Sequence, residues 1–210
     1  MAEIIIIIIL ILSIVLHEVA HGYAANWLGD PTARLAGRLS ANPLLHIDPV
    51  GSVLIPAMLY FTHAGFLFGW AKPVPYNPYN LRNQKWGESI VAAAGPLSNL
   101  LLAVIFAVII RLASPLGLTP EFIDMAMTIV SINVLLALFN IIPLPPLDGS
   151  KVIAPFLPFG LQQKYRALAM RLESMGFVAL FLMIFVFMMV LKDPFFNLVH
   201  FVEKLLIVGL

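Results

Sequence analysis

Four stretches of this 210-residue chain, 4–28, 89–110, 122–142 and 173–191, stay apolar for about 20 residues or slightly more. That is the length a hydrocarbon core of roughly 30 Å requires of a helix. They point to an all-α polytopic membrane protein, a bundle of about four to six transmembrane helices. Composition agrees. The chain is 61% hydrophobic and 11% charged, against about a quarter charged residues in a soluble domain. We therefore read residues 1–210 as a single membrane-embedded domain, without room for a large soluble one. The apolar run at 4–16 lacks a basic leader and a small-residue cleavage site, so it is expected to be a retained helix. A net charge of +1 carries no signal for nucleic acid. With no cysteine in the chain, any metal must be held by His, Asp or Glu.

A fifth apolar stretch, 50–68, is interrupted by Gly51, Pro56, His63 and Gly65, and runs into a proline-rich segment ending at Tyr79. At the C-terminus, residues 195–206 put Asn197, His200, Glu203 and Lys204 on one helical face. Residues 192–210 are expected to hold a helix lying in the membrane interface. Charge orders the topology. If 50–68 returns to the side it left, the loops at 29–48, 69–88 and 144–172 share one face and hold nine Lys and Arg residues, against three on the other. If 50–68 crosses outright, the split is five against seven. The return is favoured, and the crowded face is expected to be cytoplasmic.

His17-Glu-Val-Ala-His21 lies inside the first apolar run. Four residues are just over one helical turn, so both imidazoles leave the same face about 6 Å apart along the axis. Each can reach a zinc ion at about 2.0–2.1 Å. Glu18, offset by about 100°, can take a proton from a zinc-bound water without occupying a ligand position. An ionisable group at the bilayer centre costs at least about 2.5–3.5 kcal/mol, so three clustered ones call for a bound cation. Counting back from Leu28, the motif lies about 13 Å below the crowded face. A catalytic zinc keeps three protein ligands and one open position. The best third ligand is Asp148, just past the apolar run 122–142, where Pro143, Pro145 and Pro146 end regular hydrogen bonding and Gly149 offers unusual backbone angles. Only the return topology brings Asp148 to the depth of the histidines. Asp48 is a rival carboxylate, and His46 and Asp48 are candidates for groups supporting the metal ligands.

At these residues the chain resembles the site-2 protease family of intramembrane zinc metalloproteases. Three elements carry the resemblance: H-E-x-x-H in the first helix, Ala94-Gly-Pro-Leu-Ser-Asn99 in a middle helix, and Asn140-x-x-Pro-x-x-Pro-Leu-Asp148-Gly149 ending the next. The resemblance implies His17, His21 and Asp148 as ligands of one catalytic Zn2+, and Glu18 as general base. It implies that Asn140 holds the substrate or the developing oxyanion, and that Asn99 and Pro146 belong to the substrate-binding region. It also implies re-entrant extended or β backbone beside the site, for which 34–41 and 71–79 are the candidates. The chain has no room for a PDZ or CBS domain, so substrate choice is expected to rest on the bundle and its loops.

The expected function is therefore hydrolysis of peptide bonds in or near transmembrane segments of membrane proteins in the plasma membrane. A zinc transporter and a catalytically silent membrane scaffold are the alternatives. Convergence of the polar groups on one depth speaks against transport, and the presence of Glu18 speaks against a scaffold.

Overall fold

The computed structural model describes residues 2–61 and 71–209. Its helices are α1 (Ala2–Trp27), α2 (Thr32–Leu35), α3 (Ile55–Phe61), α4 (Gly87–Arg111), α5 (Ala113–Leu116), α6 (Pro120–Asn140), α7 (Asp148–Ile153), α8 (Phe159–Ser174), α9 (Phe177–Val186) and α10 (Lys192–Ile207). Among the described residues, four segments are long and apolar enough to cross a membrane: Ile4–Trp27, Gly87–Arg111, Pro120–Asn140 and Leu182–Ile207. The six isoleucines at 4–9 are mediocre helix formers in water. In lipid the backbone has no partner but itself, so the helix forms regardless.

Helix α4 is the centre of the bundle, packed between α1 and α6. Its Ala103 and Ala107 are buried against Val130 and Val134 of α6. Small side chains let the two backbones approach closely, the usual way helices associate in lipid.

At the end of α1 the chain turns at Gly29, with φ of +106°. The Asp30 N–H donates back to the Ala25 carbonyl at 2.9 Å, the bond pattern of a glycine C-cap. Asp30 itself is fully buried. Its carboxylate accepts from the Thr32 hydroxyl at 2.6 Å, the Asn77 N–H at 2.6 Å and the Asn80 amide at 2.8 Å. Burial pushes this carboxyl up, but the Thr32 and Asn80 donors outweigh it and hold it below the usual carboxylate range. Asp30 thereby ties the segment around residues 77–80 to the end of α1.

The excursion after residue 48 does come back. The Lys72 N–H donates to the His46 carbonyl at 2.8 Å, so the chain stands beside its point of departure. Part of 50–68, including His63, lies outside the described residues.

The expected re-entrant β backbone is not seen. Neither 34–41 nor 71–79 forms a strand among the described residues. Prolines 73, 75 and 78 have no N–H for a ladder. The Val74 and Asn77 N–H groups are committed to Glu18 and Asp30. The C-terminal helix α10 packs along α4 and α6 through buried Phe195 and Val199, with Val202 and Leu206 beside them. The Arg111 guanidinium donates to the Leu205 and Ile207 carbonyls at 2.7 and 3.2 Å, capping the end of α10. The spacing 195, 199, 202, 206 is a helical stripe that fits a bundle as well as a headgroup layer.

This topology makes a checkable statement, because the chain has no native cysteine. Asn83→Cys and Lys164→Cys should be labelled by a membrane-impermeant maleimide from one side of sealed vesicles. Leu116→Cys should be labelled only from the other.

Candidate metal centre

His17 and His21 project from α1 toward α4 at Gly95, where there is room only because Gly95 has no side chain. A Cβ there would lie 2.6 Å from His17 Nε2 and would crowd His21 as well. One turn upstream, Pro96 deprives the Ala92 carbonyl of its helical donor. In that loosened turn the Val91 carbonyl accepts from His21 Nδ1 at 2.7 Å.

The other imidazole is held by amides. His17 Nδ1 meets Asn99 Oδ1 at 2.6 Å. Asn99 in turn donates to Asn133 Oδ1 at 2.8 Å, and Asn133 donates to Ser13 Oγ at 2.9 Å. Carbonyl oxygens only accept, so both histidines carry their hydrogen on Nδ1 and turn a bare Nε2 inward.

The third atom arrives from a different part of the chain. After α6 the backbone breaks over 141–147, and α7 begins at Asp148 directly beneath the end of α6. Gly149 has no positive φ, so unusual angles are not its purpose. A Cβ at 149 would be driven into the Ile141 and Ile142 carbonyls. Glycine is required by close approach, and that approach carries Asp148 over the histidines. Ser89 of α4 fixes the other end of α7 by donating to the Val152 carbonyl at 3.0 Å.

The result is a triangle. Asp148 Oδ2 is 3.1 Å from His17 Nε2 and 3.3 Å from His21 Nε2, and the two Nε2 atoms are 3.1 Å apart. A tetrahedral zinc with bonds of about 2.0–2.1 Å needs ligand atoms about 3.3–3.4 Å apart. The donor set and its spacing fit zinc. Among the described residues this is the one grouping of three such side chains with metal-binding spacing.

A cavity of about 230 Å³ opens onto the triangle, lined among others by Glu18, Val74, Tyr76, Asn140, Pro146 and Lys151. Glu18 accepts from the Val74 N–H at 2.9 Å. Asn140 reaches the cavity, although its amide N–H is turned back to the Leu136 carbonyl at 2.9 Å. Pro146 also lines it.

Asn99 does not. It is fully buried behind His17, so its contact is with the ligand and not with anything entering the cavity. A polar residue deep in a helix serves equally to touch substrate or to brace a ligand, and only packing separates the two. His46 and Asp48 are likewise elsewhere. His46 Nε2 bonds the Ser40 carbonyl at 2.9 Å. Asp48 caps its own helical turn, accepting from the Val50 and Gly51 N–H groups.

Ser13, Asn133, Tyr76 and Lys151 were not singled out from the sequence. Ser13 stands four residues before His17 on the same helical face, and Asn133 is an isolated polar residue in an apolar run. Both were readable as signals. Tyr76 and Lys151 face one another, the ammonium 5.7 Å from the ring centre. Burial pushes the Tyr76 hydroxyl up, against the pull of Lys151. Nothing local in the sequence marks that pairing.

Removing a group that braces a metal ligand typically weakens binding about 10–100-fold. Asn99→Ala should weaken metal retention by that factor in chelator competition, and Asp148→Asn should weaken it further. Asp48→Asn should leave it unchanged.

The sequence model of peptidase family M50 matches residues 5–125, a span that holds the histidine pair and Asn99 and stops short of Asp148. A Bacillus subtilis protein with the provisional name zinc metalloprotease YwhC is 40% identical over 186 residues, covering 86% of this chain and 79% of that one. A Mycolicibacterium smegmatis protein provisionally named zinc metalloprotease Rip2 is 30% identical over 155 residues, 70% of this chain and 55% of that one. Its Mycobacterium tuberculosis namesake is 25% identical over 195 residues, 93% of this chain and 71% of that one. No solved structure matches the chain.

Proposed function

The chain belongs to peptidase family M50, the site-2 proteases, and from that premise we propose that it is a zinc endopeptidase cutting peptide bonds in or near transmembrane segments of other proteins. The single observation that carries this is the triangle of His17, His21 and Asp148 opening, beside Glu18, onto a cavity of about 230 Å³. Those three side chains would hold the metal. A zinc ion bound there would supply Lewis acidity and bring the pKa of a water toward about 7.

The remaining steps fall to the chain itself. Glu18, braced by the Val74 N–H, takes the proton of the attacking water and returns it to the leaving amine. Asn140 and Pro146, on the cavity wall facing Glu18, position the unwound stretch of substrate. A helix hides its peptide carbonyls in its own hydrogen bonds, so the substrate must be extended before any carbonyl can be attacked. Lipid and neighbouring helices exclude bulk water, which strengthens each electrostatic contact in the cavity.

The loop face carrying nine of the twelve Lys and Arg residues is the cytoplasmic one, and the cavity opens toward it. The chain acts as one unit in the plasma membrane.

Glu18→Gln is the decisive variant. Purified into vesicles with a single-span substrate, the wild-type chain should cleave. Glu18→Gln should retain one zinc per chain and lose at least about 100-fold in rate, the scale of general acid–base catalysis. Stripping the wild type with a chelator should abolish cleavage, and added zinc should restore it. A transporter or scaffold would keep its activity in Glu18→Gln, and that result would sink the protease reading.

A further inference from the structure

A second cavity, of about 580 Å³, begins where the first one ends. Tyr76 and Lys151 belong to the walls of both. Helix α7 presents Asp148 to the inner cavity and Ser150 and Lys151 to the outer one, so one helical turn floors the passage between them. The outer walls are the 76–84 segment on one side and α8 on the other.

Both walls are tied to the site. The Gln84 amide donates to the Leu81 carbonyl at 2.6 Å and to the Tyr79 carbonyl at 3.2 Å, which stiffens the first wall. The Tyr165 hydroxyl donates to the Pro143 carbonyl at 2.8 Å, pinning α8 to the loop that leads into Asp148. Arg166 of α8 lies 3.8 Å from Glu88 at the start of α4, a contact that joins α8 to the bundle. On α8 it is Tyr165, Ala169 and their neighbours that turn inward, and Ala167 is exposed.

We propose that this outer cavity is a groove for the extended flank of the substrate, the few residues that follow the scissile bond out of the membrane on the loop-rich face. The proposal rests on the protease reading above and adds where the chain leading away from the cut bond goes. Three features support a peptide here. The volume is within the range of ligand-binding clefts, about 300–1,000 Å³. The lining mixes tyrosines with amide, hydroxyl and charged groups, which suits a polypeptide better than lipid. Above all, the groove adjoins the inner cavity, the two sharing Tyr76 and Lys151 as wall residues, so it lies next in line for a strand leaving Glu18 and Asp148. The opposite flank, toward the lipid, has no comparable need, since the substrate is helical there.

Cross-linking tests this, helped by the absence of native cysteines. In a Glu18→Gln background, Ala169→Cys should form a disulfide with single cysteines placed a few residues outside the scissile bond of a single-span substrate. Ala167→Cys, two residues away and about 200° around the helix, should not. In the active chain, Ala169→Trp should raise KM at least tenfold for a substrate with its flank and leave kcat within twofold. The same variant should cleave a substrate trimmed just beyond the scissile bond as well as wild type does. Equal cross-linking from positions 167 and 169, none from 169 while wild type cleaves, or an equal loss on the trimmed substrate would overturn the groove and leave the protease reading intact. Failure of the wild type to cleave any membrane-spanning substrate would overturn both.

Discussion

Three electron-rich atoms, two bare imidazole nitrogens and a carboxylate oxygen, stand within 3.3 Å of one another in the interior of a membrane protein. In a low dielectric they repel strongly unless a cation sits among them. Much of the surrounding chain can be understood as holding that triangle in register. Gly95 and Gly149 are the two points where a single methyl group would push it apart, one against the imidazoles and one against the backbone that carries Asp148. Both glycines sit inside helices at no positive φ. Their value lies in the volume they leave empty, and the accompanying loss of helix stability is about 1 kcal/mol apiece.

Behind the triangle runs a chain of amides and a hydroxyl, Ser13 to Asn133 to Asn99 to His17, that touches α1, α6 and α4 in turn. In lipid a polar side chain without a partner is expensive, so three helices that share such a network have one favourable rotation relative to one another. The same network fixes the tautomer of His17. A registry device for the bundle and an orienting device for the ligand are thus one set of bonds, and neither can be altered alone.

Much of the site was legible in the sequence because its signals are local or arise from charge counting. The His17–His21 spacing is one helical turn wherever the helix lies, and the distribution of Lys and Arg put Asp148 at the same face as the histidines. What the sequence could not convey were choices made by packing. Asn99 lies one helix away from His17 and carries nothing to say which side of the imidazole it would meet. The amphipathic stripe of α10 does not name its partners, and the structure sets Phe195 and Val199 against Ala103, Ala107, Val130 and Val134 on the facing helices. For the proline-rich stretch 71–79 the family resemblance implies extended or β backbone. Its donors are instead spent on side chains, a matter of which acceptors come near.

That last point joins access to chemistry. Irregular backbone survives at membrane depth only when buried in protein or lining a wet cavity, and two irregular stretches, 71–79 and 141–147, wall the same cavity. Proline suits such walls because it removes a donor that would otherwise need a partner. Between Pro73 and Pro75 the one remaining N–H is that of Val74, and it is given to Glu18. Any movement of that wall must therefore either carry Glu18 with it or break its hydrogen bond. Asp30, by clasping Asn77 and Asn80 to the end of α1, limits how far the wall can move.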